Sequence, residues 1–275
     1  MRLKDERLHV LEQAVLECAP HTGITRATGE AEEVLFVLSG AGSLRLGDGE
    51  THALEPETGI NLGPGQEYEL TAEGSDPLRT VSVRIPAPAR QVDGGPAPQV
   101  DGRRAPQVDG GPAPQVDGGR ASQVDGGPAP HVDGDGGAAR VVVRRLADQE
   151  AQSATTDRTF RIVADPSTGL RSATHFVGYI PIERAPDHFH TYDEVIYVLE
   201  GEGAFHTGGE STPIRRGSTI ELPARTVHCL ENTGPDEMRL VAVFRPAGSP
   251  AAAYYPDGTP AYPGTPQLTT KPSSN

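Results

Sequence analysis

The residues whose types and spacing point most clearly to chemistry are His188, His190, Glu194 and His228. His188 and His190 are two residues apart, so on a β-strand both side chains point to the same face. Glu194 opens an apolar run shortly afterwards, and His228 lies in a later segment with strand composition. Imidazole nitrogens suit iron, copper, nickel and zinc, and a carboxylate oxygen also admits manganese. The four residues therefore predict a site for one divalent transition metal per chain.

Glycine, proline and asparagine residues at fixed places complete two motifs around these side chains. Residues 188–201 fit the pattern HxHxxxExxxxxxG, and residues 217–232 fit GxxxxxPxxxxHxxxN. The two motifs resemble those of the cupin superfamily, and the resemblance covers residues 159–250. It implies a small antiparallel β-barrel, or jelly roll, with a metal held inside by His188, His190, Glu194 and His228. Arg225 departs from the family pattern, which usually has a glycine at this position.

Short apolar runs in both halves of the chain have the composition of β-strands. They are rich in β-branched residues, are bounded by Gly, Asp and Pro, and comprise Val34–Leu38, Val81–Ile85, Val195–Leu199 and Leu240–Phe244. Nearly continuous apolar runs are typical of strands covered on both faces. We therefore predict an all-β protein built from barrels or sandwiches of two sheets, with a helical pattern only near residues 8–16.

The two halves resemble each other, which predicts a duplicated domain. EVLFVLSGAG at 33–42 matches EVIYVLEGEG at 194–203, and residues 70–89 match residues 230–249. The chain is therefore similar to the two-domain cupins, or bicupins. The first-half residues that match His188, His190, Glu194 and His228 are Ala27, Gly29, Glu33 and Tyr68. Only the glutamate is kept, so we predict that the N-terminal barrel is degenerate and binds no metal in this mode.

The sequence divides into four segments. We predict a degenerate cupin domain over 1–90, a disordered linker over 91–139, a metal-binding cupin domain over 140–250 and a flexible Pro-rich tail over 251–275. The linker consists of octapeptides such as QVDGGPAP, which contain one valine each. Such a segment cannot bury enough apolar surface to offset the entropy of ordering it.

Composition narrows the range of partners. The chain has 275 residues, a formal net charge of -14 and a pI near 5.0, which argues against binding to nucleic acid or to anionic membranes. Two cysteines make no disulfide framework, and no apolar run reaches the roughly 18 residues of a membrane span. We expect a cytoplasmic protein that acts on a small molecule and that can form a homo-oligomer.

The resemblance leaves the reaction open. We favour a metal-dependent enzyme of small-molecule metabolism, namely a dioxygenase for an enol, diol or catechol-like substrate. The alternatives are an isomerase, decarboxylase or lyase that acts on an oxygen-rich small molecule, and a non-catalytic cupin that binds a small ligand. Three residues separate His190 from Glu194, whereas oxalate decarboxylases usually have four, which disfavours oxalate chemistry. Glu194 is either a metal ligand or a general base, and it is the predicted catalytic residue.

Overall fold

A computed structural model describes residues 11–87, 141–154 and 157–268. The predicted linker over 91–139 lies outside the described residues, as does the start of the chain up to residue 10. The described strands of the first half are β1 Glu12–Cys18, β2 Gly23–Ala27, β3 Glu32–Ser39, β4 Gly42–Leu46, β5 Thr51–Leu54, β6 Thr58–Leu62, β7 Glu67–Ala72 and β8 Leu78–Ile85.

The second half begins with β9 Val142–Arg145, which leads into a 3-10 turn at Leu146–Asp148; a second such turn lies at Pro166–Thr168. The remaining strands are β10 Ala151–Ser153, β11 Thr159–Ala164, β12 Thr174–Ile180, β13 Asp193–Glu200, β14 Glu202–Thr207, β15 Glu210–Arg215, β16 Thr219–Leu222, β17 His228–Asn232 and β18 Met238–Arg245.

Each half folds as a pair of antiparallel sheets, which confirms the predicted all-β class with two barrels. In the first half the sheets have the strand orders β1-β8-β3-β6-β9 and β2-β7-β4-β5. In the second half the orders are β10-β11-β12-β18-β13-β16 and β15-β14-β17. The shared core order of β1-β8-β3-β6 and β12-β18-β13-β16 follows the internal duplication that the sequence predicts.

The helical pattern predicted near residues 8–16 is wrong for the part that the structure describes. Residues from Glu12 onward form β1, which pairs along its whole length with β8. Pairing with a strand far along the chain overrides a weak local preference, because a short helix gains little stability without tertiary packing.

A hydrophobic core lies between the large sheets of the two halves. Valines and aromatic residues from both sheets meet there, including Val34, Phe36, Val83, Val195 and Val243. The two other core clusters fill the interiors of the separate barrels. This arrangement explains why the central strands are apolar on both faces: one face lines a barrel and the other packs against the second half.

The positions of two segments were not predicted from the sequence. Strand β9, which follows the linker, pairs with β6 in the large sheet of the first half. Residues 251–268 of the predicted tail include Ala251, Ala253 and Tyr254, which are buried against the second barrel. The domain boundaries themselves stay a prediction. Among the described residues, no helix has the length and apolar character that crossing a lipid bilayer requires.

Candidate metal centre

Backbone pairing brings the three predicted histidines together. His188 lies in an isolated bridge opposite His228, the first residue of β17, and their backbone N–H and C=O groups are joined in both directions at 3.0 and 2.8 Å. His190 is held by a hydrogen bond of 2.7 Å from the Arg225 N–H to its carbonyl oxygen. The segment before β13 is thus pinned to β17 and to the turn that precedes it.

The imidazole rings of these residues form a compact cluster. The ligand atoms of His188, His190 and His228 all lie within 4.8 Å of one another. His228 is buried, and His188 and His190 are half-buried. Three imidazole nitrogens this close match the donor set and the spacing that a divalent transition metal requires.

Backbone carbonyls fix the orientation of each ring. The Nδ1 atoms of His188, His190 and His228 lie 2.9 Å from the carbonyl oxygens of Pro186, Ala252 and Thr226 respectively. A carbonyl oxygen only accepts, so each Nδ1 carries the proton, and each Nε2 keeps its lone pair in the neutral ring. Histidines that bind metals characteristically donate their second N–H in this way. The three residues therefore fit a metal ion.

Burial also favours the neutral form of the rings. It lowers the pKa of His188, and it lowers the pKa of His190 to about 3, with a further contribution from the neighbouring His188. The pKa of His228 is well below its ordinary value for the same reasons. All three imidazoles are therefore unprotonated near pH 7 and are ready to donate a lone pair.

Glu194 lies in the same pocket but outside the histidine cluster. It is the second residue of β13, and its side chain is buried. No carboxylate oxygen of Glu194 joins the three histidines within the 4.8 Å limit, and the described residues give it no hydrogen-bond donor. Burial raises its pKa to about 8. Of the four predicted ligands, the structure brings three together and places the fourth beside them.

The pocket around the cluster is mostly apolar. Its empty space, including the part open to solvent, is about 670 Å³. Its apolar lining includes Phe160, Phe176, Ile180, Ile196 and Leu240. A ligand that enters this pocket needs an apolar body as well as groups that reach the histidines.

The core clusters show the direction of the β12 side chains, which the sequence left open. Phe176 and Ile180 belong to the core inside the second barrel, whereas Val177 and Tyr179 pack in the core between the two halves. His175 points to the opposite face and contacts Phe36 of the first half, with ring centroids 6.0 Å apart. His175 is therefore outside the site. Alternation along a strand gives two sets but does not say which one faces inward.

Three groups that help to build the site were not predicted from the sequence. Tyr192 stacks on the ring of His190 at 4.7 Å and on Phe244 at 3.8 Å, so it fixes the plane of that histidine. Arg158 lines the pocket from the residue before β11. The Ala252 carbonyl orients His190 from the segment after β18. Tyr192 could have been found from the sequence, because it is an aromatic residue two positions after His190. Arg158 and the Ala252 carbonyl could not, because their positions depend on long-range contacts.

The first-half barrel has a polar network at the corresponding place. Arg26 pairs with Tyr68 across β2 and β7, as His188 pairs with His228. By this register Arg26, and not Ala27, corresponds to His188. Its guanidinium donates to Tyr68 Oη at 3.0 Å and to Glu33 Oε1 at 3.1 Å. A cationic side chain thus lies against the carboxylate that corresponds to Glu194.

Comparisons with known proteins agree with this geometry. A family model described as a cupin domain matches residues 175–244. The chain is 38% identical over 51 residues to an oxalate-binding protein of Thermotoga maritima, a match that covers 18% of this chain and 42% of the relative. It is 38% identical over 80 residues to a gentisate 1,2-dioxygenase of a Ralstonia species, covering 26% of this chain and 22% of the relative. These matches therefore span less than half the length of either relative.

A solved structure extends the likeness to both halves. A mutant of the oxalate decarboxylase of Bacillus subtilis superposes with a TM-score of 0.57 at 14% identity, covering 90% of this chain and 71% of that one. The second barrel of this protein is a cupin domain. The chain as a whole has the two-barrel fold of the bicupins, which confirms the predicted resemblance.

Proposed function

We propose that the second barrel is a metal-dependent enzyme that oxidises a small molecule with an enol, diol or catechol-like group, as a dioxygenase does. The observation that carries this proposal is the set of three neutral histidines, each with Nδ1 held by a carbonyl oxygen, which leaves Nε2 as the atom that can bind a metal. His188, His190 and His228 would hold the metal, with Glu194 beside them. A divalent transition metal at such a site supplies Lewis-acid or redox chemistry toward oxygen ligands.

The side chains of this protein would prepare the substrate for that chemistry. Phe160, Phe176 and Leu240 give the pocket an apolar wall, which favours an aromatic or unsaturated ligand over one as small and polar as oxalate. Glu194 would exchange a proton with a hydroxyl of the bound ligand. Its raised pKa, about 8, suits proton exchange near neutral pH, and a cation nearby would favour its carboxylate form.

The relatives support two versions of this proposal. Similarity to a gentisate 1,2-dioxygenase supports oxidation of a ring with two hydroxyl groups. Similarity to an oxalate-binding protein keeps a second candidate, a barrel that binds a small acid without converting it. A metal-dependent isomerase, decarboxylase or lyase is the remaining alternative. The apolar lining of the pocket disfavours the smallest and most polar substrates of such an enzyme.

Oxygen uptake by the full chain tests the proposal. The protein would be loaded separately with Fe(II), Mn(II), Ni(II), Cu(II) or Zn(II) and mixed with catechols and enols. We expect uptake with at least one redox-active metal, none with Zn(II), and none in His228→Ala. Substrate conversion without oxygen would point to an isomerase or lyase, and binding without conversion would point to the non-catalytic barrel. Either result would contradict the oxygenase.

A further inference from the structure

Arg158 is a largely buried cation beside the histidine cluster. Its side chain is 12% exposed, and it lines the same pocket as His188, His190, His228 and Glu194. It is the one lysine or arginine among the described residues that line this pocket. Burying a guanidinium is costly unless an anion or several acceptors compensate for the lost water.

The described residues satisfy only part of this guanidinium. Nη2 donates one hydrogen bond of 2.7 Å to the Leu230 carbonyl oxygen on β17. The nearest carboxylate belongs to Glu183, whose Oε1 is 3.8 Å from Nε, too far for a hydrogen bond. Nε is buried and has no acceptor in the part of the chain that the structure describes. A guanidinium has five N–H donors, and the bond to Leu230 is the one hydrogen bond that the described residues give it.

The guanidinium of Arg158 lies near the histidine cluster. Arg158, His188 and His228 line one pocket, and Leu230, whose carbonyl oxygen accepts from Arg158, is two residues after His228 on β17. A ligand that reaches the histidines through oxygen atoms therefore passes close to a cation that lacks a full set of partners.

From these contacts we infer that Arg158 binds a carboxylate group of the ligand, so that the substrate class is a small aromatic or enolic acid. The inference rests on the proposed function for the second anchor point, the oxygen atoms at the histidines. The fork of a guanidinium matches the two oxygens of a carboxylate. One cation, partly balanced by Glu183, suits a single negative charge better than the double charge of a phosphate. Phe160 and Phe176 supply the apolar surface for the body of the acid.

Paired ligands that differ only in the carboxylate test this inference. The full chain would be loaded with Zn(II), which supports no turnover, and titrated calorimetrically with 2,3-dihydroxybenzoate and with catechol. We expect 2,3-dihydroxybenzoate to bind about 10–100-fold more tightly, which is the effect of one charge-assisted hydrogen-bonded pair. Arg158→Gln should abolish this preference while its affinity for catechol and its zinc content stay unchanged. Arg158→Lys, which keeps the charge but loses the fork, should keep part of it.

Two controls separate the possible failures. Arg215→Gln removes an exposed arginine from the same barrel and should bind both ligands like the wild type. Benzoate titrated into metal-free protein tests the anchor without the metal: binding that is lost in Arg158→Gln supports the inference even if the proposed oxygenase function fails.

A ratio below about threefold between the two dihydroxy ligands in the wild type would overturn the inference, whether or not the variants fold. So would an undiminished preference in a folded Arg158→Gln protein, because Arg158 would then serve only to hold β17 through Leu230.

Discussion

The imidazoles of His188, His190 and His228 meet with one nitrogen of each already bonded to a backbone carbonyl. These hydrogen bonds fix each ring in one tautomer before a metal binds, so binding does not have to select the tautomer. Glu194 has no such partner among the described residues, and its burial raises its pKa to about 8. The contrast between three fixed rings and one free carboxyl is the basis for assigning them different roles.

Glu194→Gln separates the two roles left open for this residue. An amide keeps the size of the side chain and one oxygen but cannot accept a proton in the working pH range. Because Glu194 lies outside the histidine cluster, we expect the variant to keep its metal while turnover falls by about 10²–10⁴-fold. Elemental analysis and turnover measured on the same preparation check this. Loss of metal in proportion to the loss of turnover would instead identify Glu194 as a ligand.

Arg225 shows the cost of one departure from the cupin motif. Its φ is 63°, in the left-handed region that favours glycine, and the corresponding first-half residue is Gly65, with a φ of 79°. Arg225→Gly should raise the free energy of unfolding by about 0.5–1 kcal/mol, since the strain it relieves exceeds the entropy that glycine adds to the unfolded chain. Urea unfolding measures the effect. Arg225→Ala keeps the strain, so equal stability of the two variants would show that the backbone is not the cause.

The segment after β18 is part of the site. The Ala252 carbonyl orients His190, Tyr254 stacks on Phe189 at 5.5 Å, and the backbones of these two aromatic residues are hydrogen bonded in both directions. A family match that ends at residue 244 does not include this segment. The wall of the pocket therefore comes partly from outside the motif-bearing strands.

Shortening the chain tests the contribution of this segment. A chain that stops after Gly248 lacks the carbonyl that holds His190, and we expect its metal affinity to fall about 10–100-fold. A chain that stops after Leu268 keeps all the described contacts and should bind metal like the full protein. Competition with a chelator gives the affinities. Equal affinity of the two shortened chains would refute a role for the segment, provided that circular dichroism shows both to be folded.

At the scale of the whole molecule, the layer between the two halves contains a neutral histidine. His175 is 1% exposed, and Nδ1 has no hydrogen-bond partner among the described residues. Burial lowers its pKa from 6.5 to about 3. The unfolded chain therefore takes up the proton first as the pH falls. The stability that depends on His175 is complete above pH 6.5 and decreases from there toward pH 3.

His175→Phe should reduce the acid sensitivity of the fold. Each pH unit below 6.5 costs about 1.4 kcal/mol per proton taken up by the unfolded chain alone, so wild type should lose about 2 kcal/mol through this residue between pH 6.5 and 5. Phenylalanine keeps an aromatic ring beside Phe36 and does not titrate. Chemical unfolding of metal-free protein at several pH values measures the slope. Identical slopes for wild type and variant would contradict the assignment.

Much of this molecule was predictable because its signals are local. The short apolar runs of the strands, the spacing of His188 and His190, and the segments that match between the halves can each be read from short stretches of sequence. The parity of β12, the burial of Arg158 and the position of Tyr254 were not predictable, because each depends on which distant strand or segment packs against it. The correspondence of His188 to Arg26, and not to Ala27, was not predictable either. The first half has one extra residue before β3, which shifts the register, and composition does not reveal such a shift.

We propose that His188, His190 and His228 together hold one transition metal ion. The most direct test of this proposal is elemental analysis of the full chain after loading and gel filtration, for wild type and for the three single His→Ala variants. We expect about one ion per wild-type chain and a loss of most of the metal in every variant. Close to two ions per chain, or full metal content in all three variants, would contradict it.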